Sequence, residues 1–382
     1  MVIALEYLSI RSADDLMVLG DEWNALARRC PGCLLSQTHR WAEVAWQVIA
    51  RPRGRKLAGV ALRSEGRLVA VWPLVAYREL GARIVRPLGP EATEYCAPLV
   101  EPGADHDAWL LALWQAAIRH SDIVMLPYLP VGSALSVLLH RQTRPVFASA
   151  TSQAIWVAHG DYPSWKSYES SVSAQHRAEL RRKRRRLADH GCVSFSELGM
   201  DQAVGLVDWI LDHKRRWLGR RKLANAWLQR SDYRDFLVAL ASSPLPLGRI
   251  GLFVLTLDGV LVAAQFNIVD GTRVESLIAT YDERYSRFSV GNIINEECLR
   301  WALERGLDYD FRLGDQSFKL VWARRRRDIA SFQVLTGACG WPLFLFLHAK
   351  AAVKRARFKL GLGRFVPARL RARLGQPSST DR

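Results

Sequence analysis

The stretch RVESLIATYDERYSRFSVGNIINEECLRWALERGLDYDFRLGDQSFKLVWA, residues 273–323, reads as strand, loop, helix, strand and loop in that order. Ile294, Cys298, Trp301 and Ala302 recur at helical spacing and predict the buried face of a helix that stops at Gly306. Gly291 lets a ligand approach the backbone. The first amides of the helix, those of Gly291, Asn292 and Ile293, lack intrahelical partners and have the helix dipole behind them, an arrangement that fits a pyrophosphate. A single glycine before a helix more often only permits a turn, so the order of elements around it has to carry the reading.

Downstream, DYDFRL alternates Asp308, Asp310 and Arg312 with Tyr309, Phe311 and Leu313, as a strand with two distinct faces would. Gly314 and Asp315 leave the strand at its carboxyl end, where open α/β sheets bind ligands. Lys319 and Trp322 follow at helical spacing. Lys319 there can stabilise an oxyanion, and Asp315 can accept a nucleophile's proton or position the acceptor; the alternative is an exposed ion pair of little consequence. Cys298 falls within the helix pattern and is expected to pack in the core.

Working outward, one local pattern occurs twice. ALRSEGRLVAVWPL at 61–74 and VLTLDGVLVAAQFN at 254–267 are each apolar runs on both sides of an acidic-Gly turn, which predicts two β-hairpins. Superposing Gly66 on Gly259 also superposes Leu68 on Leu261, Val69 on Val262 and Ala70 on Ala263. Helical stretches precede both hairpins, at 13–29 and 37–50 and at 201–218 and 231–242. After each come a strand, a loop, a helix (105–120 and 292–305) and another strand. This order predicts an α/β fold in two copies, each a mixed, largely antiparallel sheet flanked by helices. The expected organisation is an N-terminal domain at 1–160, a linker and basic helix at 161–191, a C-terminal domain at 192–340 and a basic amphipathic segment at 341–382.

A chain of 382 residues, 49% of them hydrophobic and 24% charged, is about two domains' worth of globular sequence. The net charge of +17 describes a surface that attracts phosphates, anionic sugars, nucleic acid or anionic lipid. No window is long and apolar enough to span a bilayer, and the first residues lack an export signal, so a cytoplasmic protein, peripheral at most to the inner membrane face, is expected. CPGC at 30–33 has no second cysteine pair at zinc spacing and follows a helical run, so it reads as a turn rather than a metal or redox site. Nucleic-acid binding, suggested by the basic helix and by Arg324–Arg327, lacks any recognisable recognition motif. From Ile329 to Thr380 there is no acidic residue, and WPLFLFLHAKAAVKRARFKLGLGRF is either an interfacial segment on an anionic membrane or a helix docked on the second lobe.

The run from Tyr281 to Ala323 resembles the GNAT-type acetyltransferases of bacterial cellulose and exopolysaccharide biosynthesis, relatives of the Fem peptidoglycan aminoacyltransferases. The matching positions are Tyr281, Asp282, Ser289, Gly291, Asp310, Phe311, Gly314, Asp315, Lys319 and Trp322. Val290 stands where the family usually has Pro, and Phe318 where it usually has Tyr, so a catalytic phenol at that position is excluded. HRAELRRKRRRLADHG at 176–191 and RPLGPEATEYCAPLVEP in the first lobe also look like family segments. The resemblance implies tandem GNAT-like domains, an acyl-CoA donor (acetyl-CoA or a longer one) bound by one lobe without a metal, and an acceptor between lobes. Transfer would be direct, onto an amine or hydroxyl of a cell-envelope or exopolysaccharide precursor. The donor site would comprise Arg287, Ser289, Val290, Gly291, Asn292 and Ile293, and the catalytic pair would be Lys319 and Asp315. The acceptor would meet Tyr281 and Asp310, with Arg181 and Arg185 of the basic helix attracting an anionic acceptor unless that helix is merely solvated.

Overall fold

At both acidic-Gly pairs the chain reverses as the turn chemistry demands. Glu65 and Gly66 have φ of 52° and 74°, and Asp258 and Gly259 have φ of 48° and 78°. Two successive left-handed residues are what a two-residue hairpin needs to match strand twist. The computed structural model describes residues 5–89, 95, 97–148, 152–221, 225, 227–314 and 316–359. It divides into two units, one made of Met1–Ala150 with Ala330–Arg382, the other of Thr151–Ile329.

In the unit Thr151–Ile329, strands Val193–Leu198, Gly248–Leu257, Val260–Asp270 and Arg273–Tyr281 are successive antiparallel neighbours. Asp308–Leu313 then lies parallel to Arg273–Tyr281, the crossover being the helix Val290–Leu303. Ser152–Val157 pairs antiparallel with Asp308–Leu313 and with residues 325–329. The sheet is thus mixed and largely antiparallel, with helices packed on it. Val274 and Tyr309 on the sheet meet Ile293, Ile294, Cys298 and Ala302 of the crossover helix in one buried cluster. Trp301, expected on the same buried face, is half-buried and instead packs its ring edge on Phe253. Helices Ala203–Arg220 and Ser231–Ala241 bury Leu206, Ile210, Phe236 and Leu240 at the three-to-four-residue spacing of an amphipathic face. The basic helix Ala174–Ala188 starts at Ser173, whose hydroxyl accepts from the His176 amide, and buries Leu180 and Leu187 as its pattern predicts.

The other unit repeats the succession of helices, hairpin, strand, helix and parallel strand. Leu5–Ile10, Gly59–Ser64, Arg67–Trp72 and Leu99–Val100 form one small sheet. Pro73, which has no amide to donate, interrupts the hairpin strand. Leu74–Glu79 beyond it pairs with Ala82–Pro87, which runs parallel to Ile123–Pro130 after the helix His106–Ile118. The expected helix at 13–29 is two, Ala13–Val18 and Gly20–Arg29, the first closed by a capping box between Ser12 and Asp15. Of the segment RPLGPEATEYCAPLVEP, residues 90–94 and 96 lie outside the described residues. Cys30 caps a helix and Cys33 completes the turn after it. Burial raises the Cys30 thiol to about 11, far from the low values of redox cysteines.

The C-terminal helix Trp341–Lys359 corrects one expectation. It docks on the unit that holds the first 150 residues, through Leu343 and Phe344 against Ala82, Ile84, Ile123 and Leu335, and not on the second lobe. The apolar surface offered by Ala82–Pro87 and Ile123–Pro130 is the reason.

Candidate active site

The parallel strands part. Arg273, Val274 and Glu275 face Asp308, Tyr309 and Asp310, and beyond that pair the register is lost although Arg273–Tyr281 runs on for six residues. Asp308–Leu313 bends away through a bulge, since one residue of the neighbouring Ser152–Val157 strand, Ile155, opposes two of its own, Phe311 and Arg312. At the bulge Arg312 takes a left-handed backbone, φ 59°, and its amide donates to Asp310 Oδ1 at 2.6 Å. Tyr309, Asp310, Phe311 and Arg312 are all buried, so both faces of the strand are covered.

At the vertex of this opening Arg312 Nη1 lies 3.3 Å from Glu275 Oε2, both side chains 3% exposed. Burial pushes the Glu275 carboxyl up to about 7; Arg312 pulls it down, and Asp310 pushes it up again. Asp310 and Asp270 offset Arg312 and Arg273, so the cost of burial prevails over the ion pair. A buried carboxyl with a near-neutral pKa, where a sheet opens, is a signal of function that sequence reading missed.

The loop after Tyr281 is held from within. Asp282 accepts from the Arg284 amide and guanidinium, at 3.0 and 2.6 Å. Burial raises this carboxyl, but these bonds outweigh it and leave it lowered. A short helical turn, Glu283–Phe288, leads to Ser289, which is left-handed at φ 55°. The expected row of free amides is not found. Those of Asn292 and Ile293 both donate to the Ser289 carbonyl, at 2.9 and 3.1 Å, because the helix already starts at Val290 and its first turn closes on that oxygen. Val290 and Ile293 are fully buried and pack in the core. A Cβ on Gly291 would stand 3.0 Å from Tyr281 Cδ1, so this glycine makes room for the Tyr281 ring. Arg287 is exposed, with its guanidinium 4.6 Å from the Phe288 ring centre.

A polar network holds the crossover helix on the sheet. Gln265 Nε2 donates to Asn295 Oδ1 at 2.6 Å; Gln265 Oε1 accepts from Tyr309 at 2.8 Å and from Asn267 at 3.1 Å. Gln265, Asn267 and Tyr309 have no exposed surface. Cys298 is in the core as expected, and burial raises its thiol well above the usual value.

Lys319 lies on the short helix Ser317–Trp322 and is 8% exposed; its Nζ donates to the carbonyl of Leu313 at 2.6 Å. Its charge supports the end of the bulged strand. Asp315 lies outside the described residues, and Phe318 is exposed. The basic helix sits beside the loop and the crossover helix. Lys183 Nζ donates to the Arg287 carbonyl at 2.6 Å, and Arg184 binds Glu296 at 2.7 Å and also Glu297. His190 Nε2 is 3.4 Å from Arg287 Nη2. Arg181 and Arg185 are exposed and lie round the helix from Lys183, so they are not gathered with Tyr281 or Asp310. Of the arginine run, Arg325 pairs with Asp161, Arg324 donates to the Ser171 carbonyl and Arg327 covers Trp156.

Beside Tyr281 a cavity of about 660 Å³ opens between the helix Ala203–Arg220, the turn at Gly259 and residues 281–284. Trp209 and His213 stack on its wall at 3.9 Å, and Arg216, Arg220 and Glu283 supply charge. Among the described residues no group of three or more His, Cys, Asp or Glu is placed to hold a metal ion.

Residues 174–320 match the family of acetyltransferase (GNAT) domains. The solved structure of FemX is similar over 89% of this chain and 99% of its own, with 13% identity and a TM-score of 0.63. A conserved protein of unknown function from Bacteroides thetaiotaomicron is similar over 87% of this chain and all of its own, with 12% identity and a TM-score of 0.53. At such identities what is shared is the fold. No curated protein matches the sequence. The chain thus carries a GNAT-type acyltransferase domain, a fold whose donor is acetyl-CoA or another acyl-CoA.

Proposed function

We propose that the protein transfers an acyl group, acetyl in the simplest case, from acyl-CoA directly to an amine or hydroxyl of a cell-envelope or exopolysaccharide precursor. The observation that carries this is the parting of Arg273–Tyr281 from Asp308–Leu313 ahead of a loop that exposes Arg284 and Arg287. The free edge left by lost pairing suits the amide-bearing arm of coenzyme A, as an added strand suits a sheet edge. Its phosphates would meet Arg284 and Arg287, with Lys183 and His190 behind them. Ser289, Val290, Gly291, Asn292 and Ile293 shape this corner through the packed helix start and the Tyr281 ring, rather than through a row of open amides.

Lys319, fixed on the strand-end carbonyl, would hold the Gly314–Asp315 corner, and Asp315 would take the proton lost by the attacking acceptor. The cavity beside Tyr281, with its stacked Trp209 and His213 and its mixed charges, has the size and chemistry for a sugar-bearing acceptor, with Asp310 deeper in the sheet. The repeated element order of the two units supports a tandem GNAT-like origin, the first unit acting as a companion to the 192–340 domain. The rival reading, a nucleic-acid- or membrane-surface-binding protein on a repurposed GNAT fold, predicts no donor binding at all.

Calorimetric titration with acetyl-CoA and longer acyl-CoAs tests the proposal, repeated on Arg287→Glu. That side chain is exposed, so folding should be unaffected while affinity falls by about 10-fold, as expected for losing one charge-assisted phosphate contact. Failure of every acyl-CoA to bind the unmodified protein would remove the enzyme reading.

A further inference from the structure

The helix Trp341–Lys359 has two apolar faces, and only one is covered. Leu343, Phe344 and Leu347 pack on their unit's core, and the His348 ring lies tilted against Phe147, with centres 3.9 Å apart. Trp341, Leu345 and Val353 are 46%, 58% and 53% exposed, and Ala349, Ala352 and Ala356 are exposed too. These positions recur every three to four residues, so they form one stripe, about 22 Å long at 1.5 Å per residue. Phe346, 53% exposed, and Lys350, also exposed, border it. Exposed apolar side chains elsewhere form shorter patches, such as Phe318, Leu320 and Val321 on the six-residue helix Ser317–Trp322; here they run along one long helix, which marks an interaction surface.

We propose that this stripe seats on an anionic lipid bilayer surface, with the helix lying in the plane of the interface. The charge around it selects this occupant. Between Trp341 and Thr380 the sequence has nine Lys and Arg and no Asp or Glu. A second copy of the chain would bring the same cations against these and be repelled, whereas a surface rich in phosphatidylserine or phosphatidylglycerol attracts them. Trp and Phe at the membrane boundary beside Lys and Arg are the composition an interfacial helix needs. Among the described residues no helix is long and apolar enough to cross a membrane, so the contact is with the surface. This inference stands whether or not the acyl-transfer reading holds, because it rests on a different unit.

The test is co-sedimentation of the full chain with vesicles of phosphatidylcholine alone and with about 30 mol% phosphatidylglycerol added, a fraction that gives a strongly negative surface. The comparison protein carries Leu345→Ser and Phe346→Ser, which remove exposed apolar groups without changing charge. The expected result is binding to the anionic vesicles only, weakened at least ~10-fold in the double variant and by raised salt. Near-ultraviolet circular dichroism of the variant should match the parent, since both positions face solvent. Equal binding by parent and variant would overturn the role of the stripe, and equal binding to both vesicle types would overturn the role of charge. A concentration-dependent dimer abolished in the variant, with no vesicle binding, would assign the stripe to a second copy and refute the proposal.

Discussion

Glu275→Gln separates burial from ion pairing at the vertex where the parallel strands part. The carboxyl rises from its usual 4.5 to about 7 because it is buried with Asp310 and Asp270 nearby, against the pull of Arg312. A difference of that size is worth about 3 kcal/mol. Below pH 4.5 the group is protonated both folded and unfolded, and Gln, a neutral isostere, should change little. Between 4.5 and 7 the folded protein keeps a proton that the unfolded chain has released. The stabilisation present at low pH is then lost as pH rises, and is gone above 7. The variant should therefore match the parent near pH 4.5 and exceed it by up to about 3 kcal/mol at pH 8. Urea unfolding followed by tryptophan fluorescence at a series of pH values, both proteins side by side, gives the difference directly and cancels the titrating groups distant from Glu275. A variant that is less stable at pH 8, by a margin growing with pH, would mean that Arg312 outweighs burial and that the carboxyl lies below its usual range.

Two further outcomes follow from the same corner. Lys319→Met removes the donor to the Leu313 carbonyl while keeping much of the side-chain bulk, and should cost about 1–3 kcal/mol in urea unfolding, with acyl transfer lowered through displacement of the strand end. A variant of unchanged stability with transfer abolished would instead assign Lys319 directly to the chemistry. Gly291→Ala places a methyl 3.0 Å from the Tyr281 ring, so acetyl-CoA affinity measured by calorimetry should fall several-fold at a stability cost of about 1 kcal/mol; unchanged affinity would show that the ring can move aside freely.

Features fixed by neighbours in sequence were legible from sequence. Asp258–Gly259 and Glu65–Gly66 announce hairpins because the two left-handed residues are a local requirement, and the leucines at 180 and 187 show which side of the basic helix is buried. The geometry between Glu275 and Arg312 was not legible. A bulge depends on which strand lies alongside, here Ser152–Val157 from more than 150 residues earlier, so DYDFRL gives no sign that its pairing is interrupted at Phe311 and Arg312. The helix start was misjudged for a different reason: Ser289 gives no hint in the sequence that it is left-handed, and its carbonyl takes up the two amides that pattern reading left open. At the C-terminus the helix docks on the unit of the first 150 residues and not on the expected lobe, because the apolar surface that receives Leu343 and Phe344 is assembled from strands distant in sequence.

The hydrogen bonds joining Gln265, Asn267, Asn295 and Tyr309 have a mechanical consequence. A helix resting on aliphatic side chains can slide by fractions of a turn with little resistance, because dispersion contacts are exchanged for similar ones. Here a slip of one residue would strand buried amide groups at about 1–3 kcal/mol apiece. The crossover helix is therefore indexed to the sheet like a key in a keyway. Thermal motion at the loop 283–289 should be hinge-like flexing about a fixed axis, with no drift along it.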